Sequence, residues 1–219
     1  MNKHKVIVWG ASGHAKVVAD ILRLAGHEII GFLDDEQPTR KGEVFCEAPI
    51  VGSSDALRDL QRQGITHAII GFGNNAARTR AAKICRERGF SLVQAIHPTA
   101  VIARDAEIGS GTVIAAGAVI NPAARIGDNV IVNTHATIEH DCIVEEGAHI
   151  GPGANLGGAV YLETCAWIGI GASISDHCRI GKNSIVGSGA VVLDNVAASS
   201  VVAGVPAKFL RSLDTQENR

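Results

Sequence analysis

The sequence predicts two units: an α/β domain with a small parallel, Rossmann-like sheet over residues 1–95, then a parallel β-helix with a C-terminal tail over 96–219. Three observations predict this. Every sixth position from Ile102 to Val192 is Ile, Leu or Val, sixteen in succession with no insertion. The residue four places after each is small or apolar, as at Ala106, Thr112, Ala118, Ala124, Val130 and Ala136. Ahead of the repeat, short apolar runs alternate with helical patterns, and Gly-rich turns fall where the runs end.

Taken in order, residues 5–9 form a short buried strand that leads into the turn Gly10-Ala11-Ser12-Gly13-His14. A helix follows over 15–24 and a second strand over 28–33, ending at Asp34-Asp35. Ser53-Ser54-Asp55 is an N-cap signal for a helix over 55–63. A third strand over 67–72 ends in Gly71-Phe72-Gly73-Asn74-Asn75, before a helix over 76–88. Strands alternating with helices imply a parallel sheet, whose ligands lie at the carboxyl ends of the strands. All three turns fall at that end. Gly10-x-x-Gly13-x-Ala15, with Asp34 about twenty residues on, imitates a dinucleotide fingerprint. Yet the residues ahead of the repeat amount to about half of a dinucleotide domain, which favours a single nucleotide or a nucleotide sugar.

A period of six is too short for a helix and turn, and it suits one short strand and one bend. Side chains alternate along a strand, so the aliphatic residue and the small residue four places later face the same interior. Three strands then close a triangular coil of eighteen residues, and residues i and i+18 stack roughly 4.8 Å apart. Gly and Asn recur near the bends, where positive φ costs least. The segment 102–197 makes roughly five coils of a self-stacking solenoid.

Composition narrows the function. The chain has 219 residues, 46% of them hydrophobic, and a formal charge of −2. There is no basic surplus for nucleic acid. No apolar run has the length of a membrane span, and residues 1–5 begin a strand rather than a signal peptide, so a cytoplasmic protein is expected. The five cysteines have no metal-like spacing. Cys142 and Cys178 take inward positions two coils apart, too far for a disulfide, and are expected as reduced thiols.

The repeat resembles the left-handed β-helix of the hexapeptide acyltransferases, which form trimers and bind acyl-CoA between neighbouring prisms. A closer resemblance covers essentially the whole chain. Gly10–His14, Phe32-Leu33-Asp34-Asp35, Gly73-Asn74-Asn75, His97-Pro98, Asn133-Thr134, Ile138-Glu139-His140-Asp141, Gly147-Ala148-His149 and Gly204-Val205-Pro206-Ala207-Lys208 look like the bacterial nucleotide-sugar acetyltransferases. These are the sialic acid O-acetyltransferases and the UDP-4-amino-sugar (bacillosamine pathway) and GDP-perosamine N-acetyltransferases of glycan biosynthesis. Asp141 stands where the bacillosamine-pathway members carry Glu. The resemblance implies an acetyl-CoA-dependent homotrimer that N-acetylates a nucleotide-linked 4-amino-4,6-dideoxy sugar, UDP- or GDP-bound, without a metal.

His140-Asp141 lies at a bend, where the carboxylate could hold one ring nitrogen and raise the basicity of the other. Gly158, eighteen residues on, stacks beside His140 and offers space and a backbone N–H for a developing oxyanion. The resemblance gives the same positions the roles of general base and oxyanion donor. It also implies substrate contacts at Ser12, Gly13 and His14. Asp34 and Asp35 either accept hydrogen bonds from base or ribose hydroxyls or only end their strand, while Gly73 is expected to help hold the nucleotide and Asn133 to orient the sugar. His14 opens a helix, whose N-terminus favours phosphate. Acetyl-CoA is expected along His149, Ile170 and Ser188: His149 shares a column with Trp167 and Ile185, and Pro152, Ile170 and Ser188 form the next. His4, His27, His67 and His97 read as structural. Three other readings stay open. One is O-acetylation of a sialic acid or similar sugar, and another is a non-catalytic nucleotide-sugar scaffold. The third is a zinc site of the γ-carbonic-anhydrase kind, formed by His135 and His140 across subunits with a third histidine such as His97.

Overall fold

A computed structural model describes residues 3–213. The first two positions of the strand start read at 1–5, and residues 214–219 of the C-terminal tail, lie outside the described residues. The α/β part contains β1 (Lys5–Trp9), α1 (Gly13–Leu24), β2 (Glu28–Leu33), β3 (Val44–Phe45), β4 (Ala48–Gly52), α2 (Leu57–Arg62), β5 (His67–Ile70), α3 (Asn75–Glu87) and β6 (Ser91–Leu92). Its sheet runs β3-β4-β2-β1-β5-β6, parallel except for the β3–β4 hairpin. β1 therefore has β2 on one side and β5 on the other, and the three turns that follow these strands share one edge.

The expected elements are present with small shifts at their ends. α1 starts at Gly13, with Ser12 as its extended N-cap residue. The helix expected over 55–63 is a 3₁₀ turn, Ser54–Ala56, running into α2. β5 stops at Ile70 because Gly71, Phe72 and Gly73 leave the sheet. In α3 the Asn74 side chain caps the helix by accepting the Ala77 N–H at 2.8 Å. Sequence reading missed β4, because Pro49 interrupts its apolar run and proline lacks the N–H that a ladder needs.

From Ala95–Ile96 onward the chain is a left-handed parallel β-helix of two-residue strands forming three sheets. Its register is eighteen residues throughout: Val113, Ile131, His149, Trp167 and Ile185 stack in one column, with Ile114, Val132, Ile150, Ile168 and Val186 beside them. The second column points inward and is buried, together with the small positions Ala118, Ala136, Ala148, Ala166 and Ala190. Burial of that apolar surface, at about 25 cal/mol per Å², is what holds such short strands in place. The bends take positive φ, at Gly117 and Gly153 and also at His135, Asp141, Ala159 and His177. Strands Ser200–Gly204 and Ala207–Ser212 close the far end as an antiparallel hairpin around the cis Val205–Pro206 bond. All five cysteines are free, and Cys142 and Cys178 are buried.

The two parts share a core rather than a linker. Ala15, Val18, Ala19, Ile21 and Leu22 of α1 lie in one apolar cluster with Val113, Ala115 and Ile131 on the outer face of the prism. A polar seam runs beside it. Arg78 of α3, 1% exposed, donates Nε–H to the Asn129 carbonyl (2.8 Å), Nη1–H to that of Gly73 (2.8 Å) and Nη2–H to those of Gly147 (2.7 Å) and Ala148 (3.3 Å). Asn75 adds Nδ2–H bonds to the carbonyls of Cys165 (3.0 Å) and Ala166 (3.4 Å). Burial lowers the Arg78 pKa to about 10, so it stays charged at neutral pH.

Replacing Arg78 with Met should cost about 2–5 kcal/mol, because several buried carbonyls lose their donor at once. Lys, a single ammonium without the planar fork, should recover only part of that. Urea denaturation of the three proteins checks this, and a wild-type midpoint for Arg78→Met would contradict it.

Candidate active site

The carboxyl ends of β1 and β2, with α3 and the turn before it, enclose an open cleft of about 450 Å³. Trp9, Leu33, Phe72, Ala77, Ala81 and Ile84 supply apolar wall, and Ser12, Asn74, Arg40 and Arg80 supply polar groups. The expected contact residues Ser12, Asp34 and Asp35 all line it. Gly13 has nothing within 4 Å of where a Cβ would stand, so the start of α1 is open to a ligand.

Both aspartates are already engaged. Asp34 Oδ1 accepts the N–H groups of Glu36 (3.2 Å) and Gln37 (3.0 Å), and Oδ2 accepts from Arg40 Nη1 (2.9 Å). Arg40 also donates to the Ala11 carbonyl (3.1 Å), which ties this loop to the Gly10 turn. Asp35 accepts from Trp9 Nε1 (2.8 Å) and the Ser54 N–H (2.6 Å). Their visible work is to shape the cleft. A ligand can use only the acceptor capacity they have left.

Between the domains, His14, Gly73, Asn133 and His149 come together, four residues from four separate motifs. The His14 and His149 rings are 6.4 Å apart, and His149 stacks on Trp167 at 5.4 Å with 13° between planes. Asn133 Nδ2 lies 3.2 Å from His149 Nε2, so Asn133 orients this ring. A Cβ on Gly73 would stand 3.9 Å from His149 Cε1. Burial, helped by the Arg78 charge, lowers His14 to about 4; burial, the Arg78 charge and His14 together lower His149 to about 3. Both rings are neutral at physiological pH. His14 Nε2 and His149 Nδ1 are buried and make no hydrogen bond of ordinary geometry. Buried ring nitrogens without a hydrogen-bond partner are uncommon, and a polar ligand atom would supply the missing partner.

His140 occupies the opposite kind of environment. It is exposed, its Nδ1 lies 2.7 Å from Asp141 Oδ2, and that hydrogen bond raises its pKa, with smaller contributions from the charges of Asp141, Glu139 and Asp176. Asp141 holds φ at 60°, the left-handed bend that turns the chain here. A Cβ on Gly158 would stand 2.8 Å from His140 Cε1 and 2.9 Å from Nε2, so the ring packs over the glycine as the repeat predicts. The Gly158 N–H donates to Asp176 Oδ1 at 3.0 Å. The sequence offers this N–H to a developing oxyanion; in the structure a carboxylate from the coil above caps it.

His149 starts a strand of the eight-stranded sheet, whereas His140 sits at the bend between the other two sheets. Trp167 (40% exposed) and Ile170 (61%) form an apolar patch beside His149, and Ser188 continues the Pro152–Ile170 column. Among the described residues no group of three or more His, Cys, Asp or Glu side chains is arranged to hold a metal. None of their helices is long and apolar enough to cross a membrane. The sequence reading did not find Arg78, Arg40 or Asp176: an arginine inside a helix pattern and an aspartate at a bend read as solvated residues until their partners are known.

Residues 5–84 match the family model described as the PglD N-terminal domain. Residues 123–158 and 160–194 match that described as bacterial transferase hexapeptide (six repeats). A histidine-to-asparagine variant of perosamine N-acetyltransferase from Caulobacter crescentus, solved with CoA and GDP-perosamine, is 37% identical over 95% of this chain and 97% of its own, with a TM-score of 0.92. The acetyltransferase domain of PglB from Neisseria gonorrhoeae FA1090, solved with acetyl coenzyme A, is 36% identical over 95% of this chain and 100% of its own, with a TM-score of 0.88. WeeI from Acinetobacter baumannii AYE is 26% identical over 95% of this chain and 100% of its own, with a TM-score of 0.77. A curated 2,3,4,5-tetrahydropyridine-2,6-dicarboxylate N-acetyltransferase of Clostridium perfringens is 53% identical over 36 residues, only 16% of this chain and 15% of that relative's length. By its paired domains and its full-length likeness to solved relatives, this chain belongs to the nucleotide-sugar acetyltransferases of the hexapeptide-repeat superfamily.

Proposed function

We propose that this protein transfers the acetyl group of acetyl-CoA to the amino group of a nucleotide-linked 4-amino-4,6-dideoxy sugar. One observation carries the reading: His140, held by Asp141, packs over the space that Gly158 leaves by lacking a side chain. The relatives solved with CoA and GDP-perosamine, and with acetyl coenzyme A, support the two substrate classes.

The α/β cleft takes the nucleotide. Trp9 and Phe72 offer apolar surface to the base, and Arg80 with the open start of α1 at Ser12 and Gly13 favours the phosphates. The sugar then points to the domain junction, where His14 Nε2 and Gly73 meet it, and Asn133 acts through His149. Acetyl-CoA lies along His149, Trp167, Ile170 and Ser188, with the pantetheine arm on the exposed apolar column. His140, at a bend between two sheets, and His149, in a strand of the third, lie on different parts of one prism, so a closed homotrimer is the economical way to bring them to one reaction centre. We place the enzyme in the cytoplasm, as the sequence leads us to expect.

The chemistry balances with these groups alone. The amine lone pair attacks the thioester carbon, the carbonyl electrons move to oxygen, and His140 Nε2 takes the amine proton. Collapse reforms the C=O bond and breaks the C–S bond, and the proton on His140 passes to the departing sulfur. The Gly158 N–H is the donor proposed for the oxyanion. Holding the amine beside the thioester supplies much of the acceleration.

His140→Ala should lower kcat by about 10²- to 10⁴-fold, with KM values little changed, in a CoA-thiol release assay with nucleotide amino sugars. Wild-type turnover in that variant would sink the base assignment. Asp141→Asn removes the main cause of the raised His140 pKa. Its kcat/KM should therefore reach its acid limb at lower pH than wild type, on a lower plateau. NMR titration of the histidine rings should show His140 protonating above the ordinary histidine value. His149 should hold neutral to about pH 3 and His14 to about pH 4. Because these two folded-state values lie below the unfolded one, stability should fall as pH drops below about 6.5 and be insensitive to them above it.

A further inference from the structure

The Gly158 N–H has one proton to give and a carboxylate already takes it. Gly157 and Gly158 both have φ outside the left-handed region, so their lack of side chains is a matter of space. A Cβ on Gly157 would fall 2.2 Å from Asp176 Oδ1, and one on Gly158 would fall 2.8 Å from His140 Cε1. Asp176 and His140 thus close on the same dipeptide from the coils above and below it. The Gly158 carbonyl is committed to the His177 N–H (2.9 Å), and the neighbouring Gly157 and Ala159 N–H groups are committed to Ile174 and His140 carbonyls. Only the Gly158 N–H is held by a side chain that can rotate away.

We infer that Asp176 restrains the transfer step, its carboxylate competing with the thioester oxygen for the Gly158 N–H. The inference rests on the acetyltransfer reading above. The contact itself is an ordinary way of capping a bend: Ser110 N–H donates to Asp128 Oδ1 (2.7 Å) and Ala123 N–H to Asp105 Oδ2 (3.2 Å) elsewhere on the prism. It has a kinetic consequence only here, because this bend carries His140. A hydrogen bond to a carboxylate is stronger than one to a thioester oxygen. Its negative charge also opposes the charge that develops on that oxygen. Asp176 is exposed, so turning it into solvent is sterically free. In this exchange Asp176 gives up only its hydrogen bond to the Gly158 N–H. With Glu139 and Asp141 it makes up the set of carboxylates whose charge acts on His140, so its removal also bears on the base.

Asp176→Ala should raise kcat/KM for acetyl-CoA about three- to tenfold, the scale of one unit charge about 5 Å from the oxyanion in a solvent-screened site. Asp176→Asn, which keeps a neutral acceptor at the same place, should give a smaller gain. Both should move the acid limb of the pH profile down, and neither should change KM for the amino sugar. Thermal unfolding of each variant guards against a folding artefact, and Asp176→Asn remains decisive if the alanine variant is unstable. Unchanged acetyl-CoA constants in a folded Asp176→Ala, or a fall in kcat that Asp176→Asn restores, would overturn the inference. A wild-type protein that releases no CoA thiol with any amino sugar would remove the acetyltransfer reading and this inference together. Wild-type turnover with indifferent Asp176 variants removes this inference alone.

Discussion

The site depends on a guanidinium buried between two domains. Arg78 reaches from α3 to the carbonyls of Asn129, Gly147 and Ala148 on the prism while holding the Gly73 carbonyl on its own side. Two of those partners adjoin the His149 ring. Gly73 faces the His149 ring, and Ala148 directly precedes it. A charge that is almost wholly buried is tolerable only when its N–H groups are matched by acceptors at fixed positions. Arg78 therefore allows very little sliding of one domain on the other. Burial lowers the pKa of both His14 and His149 and the Arg78 charge adds to that, so this side chain bears on protonation as well as geometry at the junction.

Against this seam, the histidines occupy two opposite environments. His14 and His149 are desolvated and neutral, which suits groups that give or accept one hydrogen bond without changing charge. His140 is solvated and backed by a carboxylate, which suits a group that must take up and release a proton. Neither behaviour belongs to histidine as such. The same imidazole is pushed in opposite directions by burial beside a cation and by exposure beside an anion.

The prism gives these groups their spacing. Because each coil repeats after eighteen residues, any side chain at a bend meets the backbone of the coils on either side of it, and spare N–H groups at bends are capped by neighbouring carboxylates. The dipeptide Gly157-Gly158 shows what this means for function. It is a gap in a wall of side chains, bounded by His140 and Asp176, and it exists because two consecutive residues supply no Cβ.

The repeat, the parallel sheet implied by alternating elements and the pairing of His140 with Gly158 were all legible in the sequence. Each follows from a fixed period or from adjacency along the chain, and local sterics preserve both. The hairpin strand β4 was less visible, since its proline argues against a strand and only its neighbours β2 and β3 stabilise it. The tertiary structure alone decided that Asp34 and Asp35 are spent on Arg40, Trp9 and loop backbone, that Arg78 joins the domains, and that Asp176 holds the Gly158 N–H. In sequence these are ordinary charged residues in polar surroundings. What a charged side chain does is set by the partner it finds across space, and the hydrophobic periodicity that determines the fold carries no record of that partner.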